Sequence, residues 1–217
     1  MVQPVRRPRG SRVLHKNTKT SGSASKMKSR LEFFRQFLTR PAEIGSVIPS
    51  SVFLERRVVR AADLASARTI VELGPGTGGT TRAILRAMGP QARLLTIEIN
   101  PRFHALTKRI DDRRLIAYLG SAADLQKALD AHGLPPPDVV ISGIPFSTMG
   151  RELGSRVMDA VCAALASGGR FVAYQFKPEV ANFARSFFGS GRMEFELLNV
   201  PPMRVYRWQK DRPYLAA

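Results

Sequence analysis

The chain has 217 residues, 44% of them hydrophobic, and a formal net charge of +17. This length and apolar content suit one domain with one sizeable core and argue against two full domains. The single cysteine, Cys162, excludes an intramolecular disulfide and a multi-cysteine metal site, and no metal is predicted. Because the sequence has no apolar run of about 18 residues, it also predicts no membrane span.

Most of the positive charge lies at the start of the chain. Residues 1–40 carry eleven Lys and Arg against the single Glu32, a net charge of +10. An excess of this size predicts a polyanionic partner surface, and charge alone does not choose between nucleic acid and anionic lipid. Residues 1–24 contain Pro, Gly, Ser and cations with little to bury, so we expect a disordered basic tail.

Residues 25–41 have the pattern of an amphipathic helix. Apolar side chains recur at helical spacing, lysines and arginines surround them, and a proline ends the pattern. The apolar positions are Met27, Leu31, Phe34 and Leu38, widened by Phe33 and Phe37. Such a helix either lies in a membrane interface or packs against the domain. The predicted folded domain then comprises residues 42–217.

From residue 68 onward, short apolar runs alternate with helical patterns. The predicted strands are 68–73, 92–98, 114–119, 138–142 and 169–176, and the predicted helices lie near 79–88, 101–110, 122–131 and 150–166. Alternation of this kind indicates parallel strands joined by helical crossovers. The last segment, "MEFELLNVPPMRVYRWQK", instead predicts two strands joined through Pro201-Pro202. We therefore expect an α/β, Rossmann-like, seven-stranded and mostly parallel sheet that ends in an antiparallel hairpin.

A glycine-rich turn follows the first predicted strand. "VELGPGTGG" places Gly74, Gly76 and Gly78 there, with Thr77 between the last two, and a helix begins directly afterwards. Glycines at such a turn let a ligand lie against the main chain at a helix N-terminus. Glu72 precedes the turn within a strand that is otherwise largely apolar, so a specific role is expected for its charge, and we predict that it contacts the cationic end of a ligand bound at the turn.

Acidic and small residues follow the next two strands. Glu98 ends the second strand, with Ile99 beside it, where a carboxylate can accept hydrogen bonds from both hydroxyl groups of a ribose. Together with the acidic residue before G-x-G-x-G, this pattern resembles the class I S-adenosyl-L-methionine-dependent methyltransferases. In that family the turn after the third strand holds the adenine. The resemblance implies that either Ser121 and Ala122 contact the adenine here, or Asp124 reaches it.

The fourth strand runs into "SGIPF", the segment Ser142, Gly143, Ile144, Pro145 and Phe146. It resembles the acceptor loop of adenine N-methyltransferases, in which an Asn or Asp accepts the hydrogens of the base amine. Here a glycine takes that position, which favours an aliphatic amine over an adenine. An aliphatic amine needs only deprotonation, because the pKa of its ammonium form is about 10. Phe146 is predicted to face the cationic product.

No residue stands out as the group that removes the amine proton. Tyr174, Gln175 and Glu43 are candidates by position only, and water is an equal alternative. His104 and His132 fall on or after predicted outer helices, so they are interpreted as packing or surface residues.

Four segments together resemble one branch of these enzymes, the bacterial phospholipid N-methyltransferases. They are "IGSVIPSS" (44–51), "VELGPGTG" (71–78), "SGIPF" (142–146) and "NVPPMRVYRW" (199–208), so the resemblance covers the whole domain. It implies methyl transfer from S-adenosyl-L-methionine to phosphatidylethanolamine and its mono- and dimethyl forms. Ornithine lipid and rRNA adenine are the alternative acceptors. "PSS" is expected to cap the next helix or to line the headgroup pocket.

The resemblance also implies where the protein works. We expect a cytoplasmic monomer on the inner face of the membrane, where residues 26–40 contact anionic phospholipid. Nucleic acid is not expected as a partner.

Overall fold

The computed structural model describes residues 50–210, and residues 1–49 and 211–217 lie outside this description. The predicted basic tail, the predicted amphipathic helix and Glu43 therefore fall outside the described residues. Within residues 50–210, no helix is long and apolar enough to cross a bilayer.

The described part of the chain forms a seven-stranded sheet in the order β3-β2-β1-β4-β5-β7-β6. Five strands are parallel: β1 (Thr69–Leu73), β2 (Arg93–Glu98), β3 (Leu115–Leu119), β4 (Val139–Ser142) and β5 (Arg170–Gln175). β7 (Met203–Gln209) pairs antiparallel with β5, and β6 (Arg192–Glu196) pairs antiparallel with β7. The predicted parallel sheet with a final antiparallel hairpin is thus confirmed, and β1 to β5 lie within one residue of their predicted bounds.

Helices cover both faces of the sheet. They are α1 (Val52–Ala62), α2 (Gly79–Ala87), α3 (Pro101–Lys108), α4 (Leu125–Ala131), α5 (Arg151–Ala164) and α6 (Glu179–Phe188). One core lies between the sheet and α1 and α2, and the other lies between the sheet and α4, α5 and α6. The sequence did not predict α6. Its Val180 and Ala184, four residues apart, are fully buried and hold it on the second face.

The start of α1 is fixed to the hairpin at the other end of the chain. Ser51 caps α1 by accepting a hydrogen bond from the Leu54 N–H at 3.1 Å, which confirms the predicted cap. The Ser51 N–H in turn donates to Oδ1 of the buried Asn199 at 2.8 Å, and Nδ2 of Asn199 donates to the Pro201 carbonyl at 2.8 Å. The segment between β6 and β7 therefore places the N-terminus of α1 at the carboxyl edge of the parallel strands.

Candidate active site

A cavity of ≈310 Å³ lies at the carboxyl edge of the sheet, where the loops after β1, β2, β3 and β4 converge. Cofactors bind at this edge in open α/β folds, because successive loops there supply main-chain and side-chain groups to one crevice. Many of the predicted site residues line the cavity: Gly74, Gly76, Glu98, Ile99, Ser121, Ala122, Gly143, Ile144 and Pro145. Asn100, Phe103, Met149, Leu153 and Val157 also line it, and the sequence did not predict them.

The glycine-rich turn gives the cavity a wall of main chain. Gly74 and Gly76 have φ values of 73° and 55°, in the left-handed region that side chains disfavour. A Cβ atom at Gly74 would also lie 3.0 Å from Cγ1 of Ile144 in the acceptor loop. Gly74 must therefore be glycine for the β1 and β4 loops to approach each other, and Gly76 is favoured as glycine by its left-handed backbone. Thr77 and Gly78 continue the turn but are not part of the cavity lining.

Glu98 is held rigidly at the end of β2. Its Oε2 accepts a hydrogen bond from the Gly76 N–H at 3.2 Å, and its Oε1 accepts one from the Asn100 N–H at 2.9 Å. Asn100 also caps α3 through its side chain. Since a carboxylate offers about four acceptor positions, each Glu98 oxygen keeps capacity for a ligand hydroxyl. This geometry suits the predicted contact with a ribose.

The loop after β3 distinguishes between the two predicted adenine contacts. Ser121 caps the short 3₁₀ turn Ala122–Asp124 by accepting from the Ala123 N–H at 3.2 Å, and both Ser121 and Ala122 line the cavity. Asp124 is exposed to solvent and is not part of the lining. The structure therefore favours Ser121 and Ala122.

Glu72 is fully buried on the α2 side of the sheet and is not part of the cavity lining. Its Oε2 accepts a hydrogen bond from Thr81 Oγ1 at 2.6 Å, whereas Oε1 has no hydrogen-bond partner. Burial raises the pKa of Glu72 from 4.5 to about 8, although the Thr81 hydrogen bond lowers it. A carboxyl group with one unpartnered oxygen is a costly feature in a core, so packing alone does not account for Glu72 at this position.

Gly143 in the acceptor loop is closed off by Tyr174. A Cβ atom at Gly143 would clash with the Tyr174 hydroxyl oxygen and would lie 3.1 Å from the Gly74 carbonyl oxygen. The Tyr174 hydroxyl also lies 3.2 Å from Thr80 Oγ1, which in turn lies 3.4 Å from Ser50 Oγ. The phenol thus takes the place that an Asn or Asp side chain would need at position 143.

Tyr174 does not have the properties of a base. Burial raises the pKa of its phenol above the ordinary value, and the nearby Glu72 raises it further. The hydroxyl therefore keeps its hydrogen at neutral pH and acts as a neutral donor and acceptor. His104 and His132 are not part of the cavity lining either; Nε2 of His104 lies 3.3 Å from the Ala117 carbonyl oxygen.

Gln175 fixes the acceptor loop from the end of β5. Its Oε1 accepts a hydrogen bond from the Phe146 N–H at 3.3 Å, and its Nε2 donates to the Ile144 carbonyl. The sequence offered Gln175 only by position, because a contact across 31 residues has no local signal. Ser142 is fully buried beneath the loop.

The role predicted for Phe146 is not what the structure shows. Its ring is 1% exposed, packs against Phe183 with the ring centroids 5.6 Å apart, and is not part of the cavity lining. Phe146 anchors the loop in the core and does not face a cationic product. The Pro-aromatic pattern reflects packing at this position.

The chain is similar in sequence to known methyltransferases. No family model matches the chain. The ornithine lipid N-methyltransferase of Singulisphaera acidiphila is 33% identical over 183 residues, which cover 83% of this chain and 95% of the relative. Ribosomal RNA small subunit methyltransferase A of Caulobacter vibrioides is 35% identical over only 95 residues, or 42% of this chain and 34% of the relative.

Solved structures share the fold at low sequence identity. The N-methyltransferase NodS of Bradyrhizobium japonicum, in complex with S-adenosyl-L-homocysteine, has a TM-score of 0.59 at 12% identity. That match covers 82% of this chain and 98% of NodS. The fold, the site and the relatives define a class I S-adenosyl-L-methionine-dependent methyltransferase, with S-adenosyl-L-methionine as its cofactor. The chain belongs to the same family as the Singulisphaera ornithine lipid N-methyltransferase.

Proposed function

We propose that the protein methylates the amine of a membrane lipid, with phosphatidylethanolamine and its mono- and dimethyl forms as acceptors. The observation that carries this proposal is the closed position at Gly143, where the Tyr174 hydroxyl leaves no room for a side chain. An adenine amine shares its lone pair with the ring and needs a side-chain acceptor there. An aliphatic amine is nucleophilic once it has lost its proton, and the loop need only position it.

The cavity fits the cofactor on three observations. Glu98 keeps acceptor capacity on both oxygens, Gly74 and Gly76 present main chain, and Ser121 and Ala122 line the opposite end. These residues would hold the nucleoside and the amino-acid portion. When bound, S-adenosyl-L-methionine supplies an electrophilic methyl group on a sulfonium.

The residues of the chain then position the acceptor amine next to the methyl group. Gln175 fixes the loop through two main-chain hydrogen bonds, and the Tyr174 hydroxyl lies beside Gly143 as a neutral hydrogen-bonding group. Among the described residues, no histidine lines the cavity, which supports water as the group that takes the ammonium proton before the amine enters. A share of neutral amine is available at moderately alkaline pH, because the ammonium pKa is about 10.

Ornithine lipid is a second candidate acceptor. It is favoured by the Singulisphaera relative, which is similar over nearly its whole length. Both lipids present an aliphatic amine next to an anionic group, and nothing in the acceptor loop distinguishes them.

We also propose that the protein works as a monomer on the cytoplasmic face of the membrane, with residues 26–40 on anionic phospholipid. The support for the membrane contact is the composition of that segment, in which lysines and arginines surround an apolar stripe of aromatic and aliphatic residues.

The test is methyl transfer from radiolabelled S-adenosyl-L-methionine to three acceptors offered separately. These are anionic vesicles with phosphatidylethanolamine, the same vesicles with ornithine lipid instead, and purified rRNA. We expect label in the lipid phase of at least one vesicle sample and none in the RNA. Label in the RNA alone would contradict the proposal, and label only with ornithine lipid would select the second acceptor.

A further inference from the structure

A group of exposed apolar residues lies at the two chain segments joined by Asn199. The group, which we name the apolar rim, comprises Val52 and Phe53 at the start of α1 and Leu197, Leu198 and Val200 between β6 and β7. Their exposed fractions are 57%, 48%, 70%, 63% and 60%. Single exposed apolar residues are common on protein surfaces, whereas a group of large exposed apolar side chains indicates an interaction surface.

The apolar rim lies at the same edge of the sheet as the active site. β6 ends and β7 begins there, because Glu196 pairs with Met203 and Arg204 pairs with Gln175, the last residue of β5. The start of α1 is held at this edge by the hydrogen bond between the Ser51 N–H and Asn199. Residues 197–200 and the first turn of α1 are therefore neighbours.

A short chain of polar contacts leads from the apolar rim to the acceptor loop. Ser50, next to the Ser51 cap, lies 3.4 Å from Thr80, and Thr80 lies 3.2 Å from the Tyr174 hydroxyl beside Gly143. A surface that binds the apolar rim therefore lies close to the acceptor loop, where the amine must bind.

The charges around the apolar rim suit an anionic surface. Arg56 lies one helical turn after Val52 and is exposed, and so are Arg60 and Lys177, which follows β5 at this edge. The acids near the apolar rim are ion-paired: Arg57 binds Glu194 at 2.6 Å and Glu196 at 2.8 Å, and Glu55 in the first turn of α1 lies 3.6 Å from Arg86.

We propose that the apolar rim inserts into an anionic lipid bilayer and sets the orientation in which the acceptor loop meets its lipid. This inference rests on the proposed function, because a lipid whose chains stay in the bilayer must meet the loop at the membrane surface. It assigns a bilayer contact to the folded domain itself, additional to the one proposed for residues 26–40. In such a contact the apolar side chains insert below the headgroups, and the cations bind the anionic headgroups.

The first experiment reports the surroundings of the apolar rim directly. An environment-sensitive fluorophore is attached to Leu198→Cys in the full chain and, as a matched control, to Leu106→Cys on α3. Leu106 is 40% exposed and is not part of the cavity lining, and the native Cys162 is buried. With anionic vesicles of phosphatidylethanolamine and phosphatidylglycerol, we expect a blue shift of emission at position 198 and none at position 106.

The second experiment separates docking from chemistry. The double variant Leu197→Asp with Leu198→Asp should lower vesicle partitioning about tenfold or more, because two apolar side chains no longer enter the bilayer. Leu106→Asp should leave partitioning unchanged. Methyl transfer to a short-chain phosphatidylethanolamine that is dissolved as monomers should stay within about twofold in both variants, because no bilayer or micelle has to be entered and the changes are confined to the surface.

Other outcomes would contradict either the bilayer contact of the apolar rim or the proposed function. A label at 198 that stays in water while the protein sediments with vesicles, or a protein that does not sediment, refutes the apolar rim as a bilayer contact. A label that is blue-shifted without vesicles and unaffected by them shows that the rim is covered by another part of the chain. If the unmodified chain transfers no methyl group to the dissolved lipid or to the vesicles, the proposed function fails, whatever the label reports.

Discussion

Replacing Glu72 with Gln should change how the stability of the protein depends on pH. The Glu72 carboxyl is fully buried, accepts one hydrogen bond from Thr81 and has one oxygen without a partner. Gln keeps the shape and the acceptor for Thr81 but cannot ionise. The substitution therefore isolates the cost of a buried carboxylate.

The sign and size follow from the pKa of Glu72, which burial raises from 4.5 to about 8. An acid with a raised pKa binds its proton more tightly in the folded than in the unfolded chain, so stability falls as pH rises between these two values. The difference corresponds to about 5 kcal/mol, at about 1.4 kcal/mol for each pH unit. Below pH 4.5 and above about pH 8, Glu72 adds no further slope.

The assay is denaturant unfolding of both proteins from pH 5 to pH 9. Other titrating groups are common to the two chains and cancel in the difference between their free energies of unfolding. We expect similar stabilities near pH 5 and a Gln variant that is several kcal/mol more stable at pH 9.

Glu196→Gln provides a control of opposite sign. The hydrogen bond from Arg57 lowers the pKa of Glu196, so its contribution is present at neutral pH and is lost on acidification. This variant should be less stable than the native chain at neutral pH, and the gap should narrow at acidic pH. Parallel stability curves for the native chain and Glu72→Gln would refute the reasoning about the buried carboxyl.

Four further substitutions test the site. Glu98→Ala should weaken S-adenosyl-L-methionine binding about 30-fold or more in calorimetry, because hydrogen bonds to a charged acceptor are lost; unchanged affinity would remove Glu98 from the cofactor site. Gln175→Ala should lower kcat about 10- to 100-fold with little change in cofactor affinity, since the acceptor loop loses both clamps; equal losses in both would indicate a folding defect. Gly143→Ala should cost about 1–3 kcal/mol of stability through its clash with the Tyr174 hydroxyl, and less in a Tyr174→Ala background; additive costs would argue against the contact. Phe146→Ala should destabilise the fold by about 3–5 kcal/mol, as for a core aromatic; a loss of turnover without a loss of stability would return the ring to the active site.

The sequence predicted the features that are determined by residues close together in the chain, namely the strands and the turns that follow them. The alternation of apolar runs and helical patterns predicted β1 to β5, and the glycines after β1 together with Glu98 at the end of β2 predicted the cofactor side of the cavity. These signals are local, since a strand, its turn and the next helix are adjacent in the chain. Helix α6 was missed although its apolar spacing is regular.

Tertiary structure decided the contacts that join distant segments. The direction of Phe146 into the core depends on Phe183 of α6, and the closed position at Gly143 depends on Tyr174 of the neighbouring strand. The bond between Ser51 and Asn199 spans 148 residues and creates the apolar rim from two segments that show no relation in sequence. A single sequence reveals which residues favour a strand or a turn, but packing of all elements together decides which side chains meet, because burial is optimised over the whole fold.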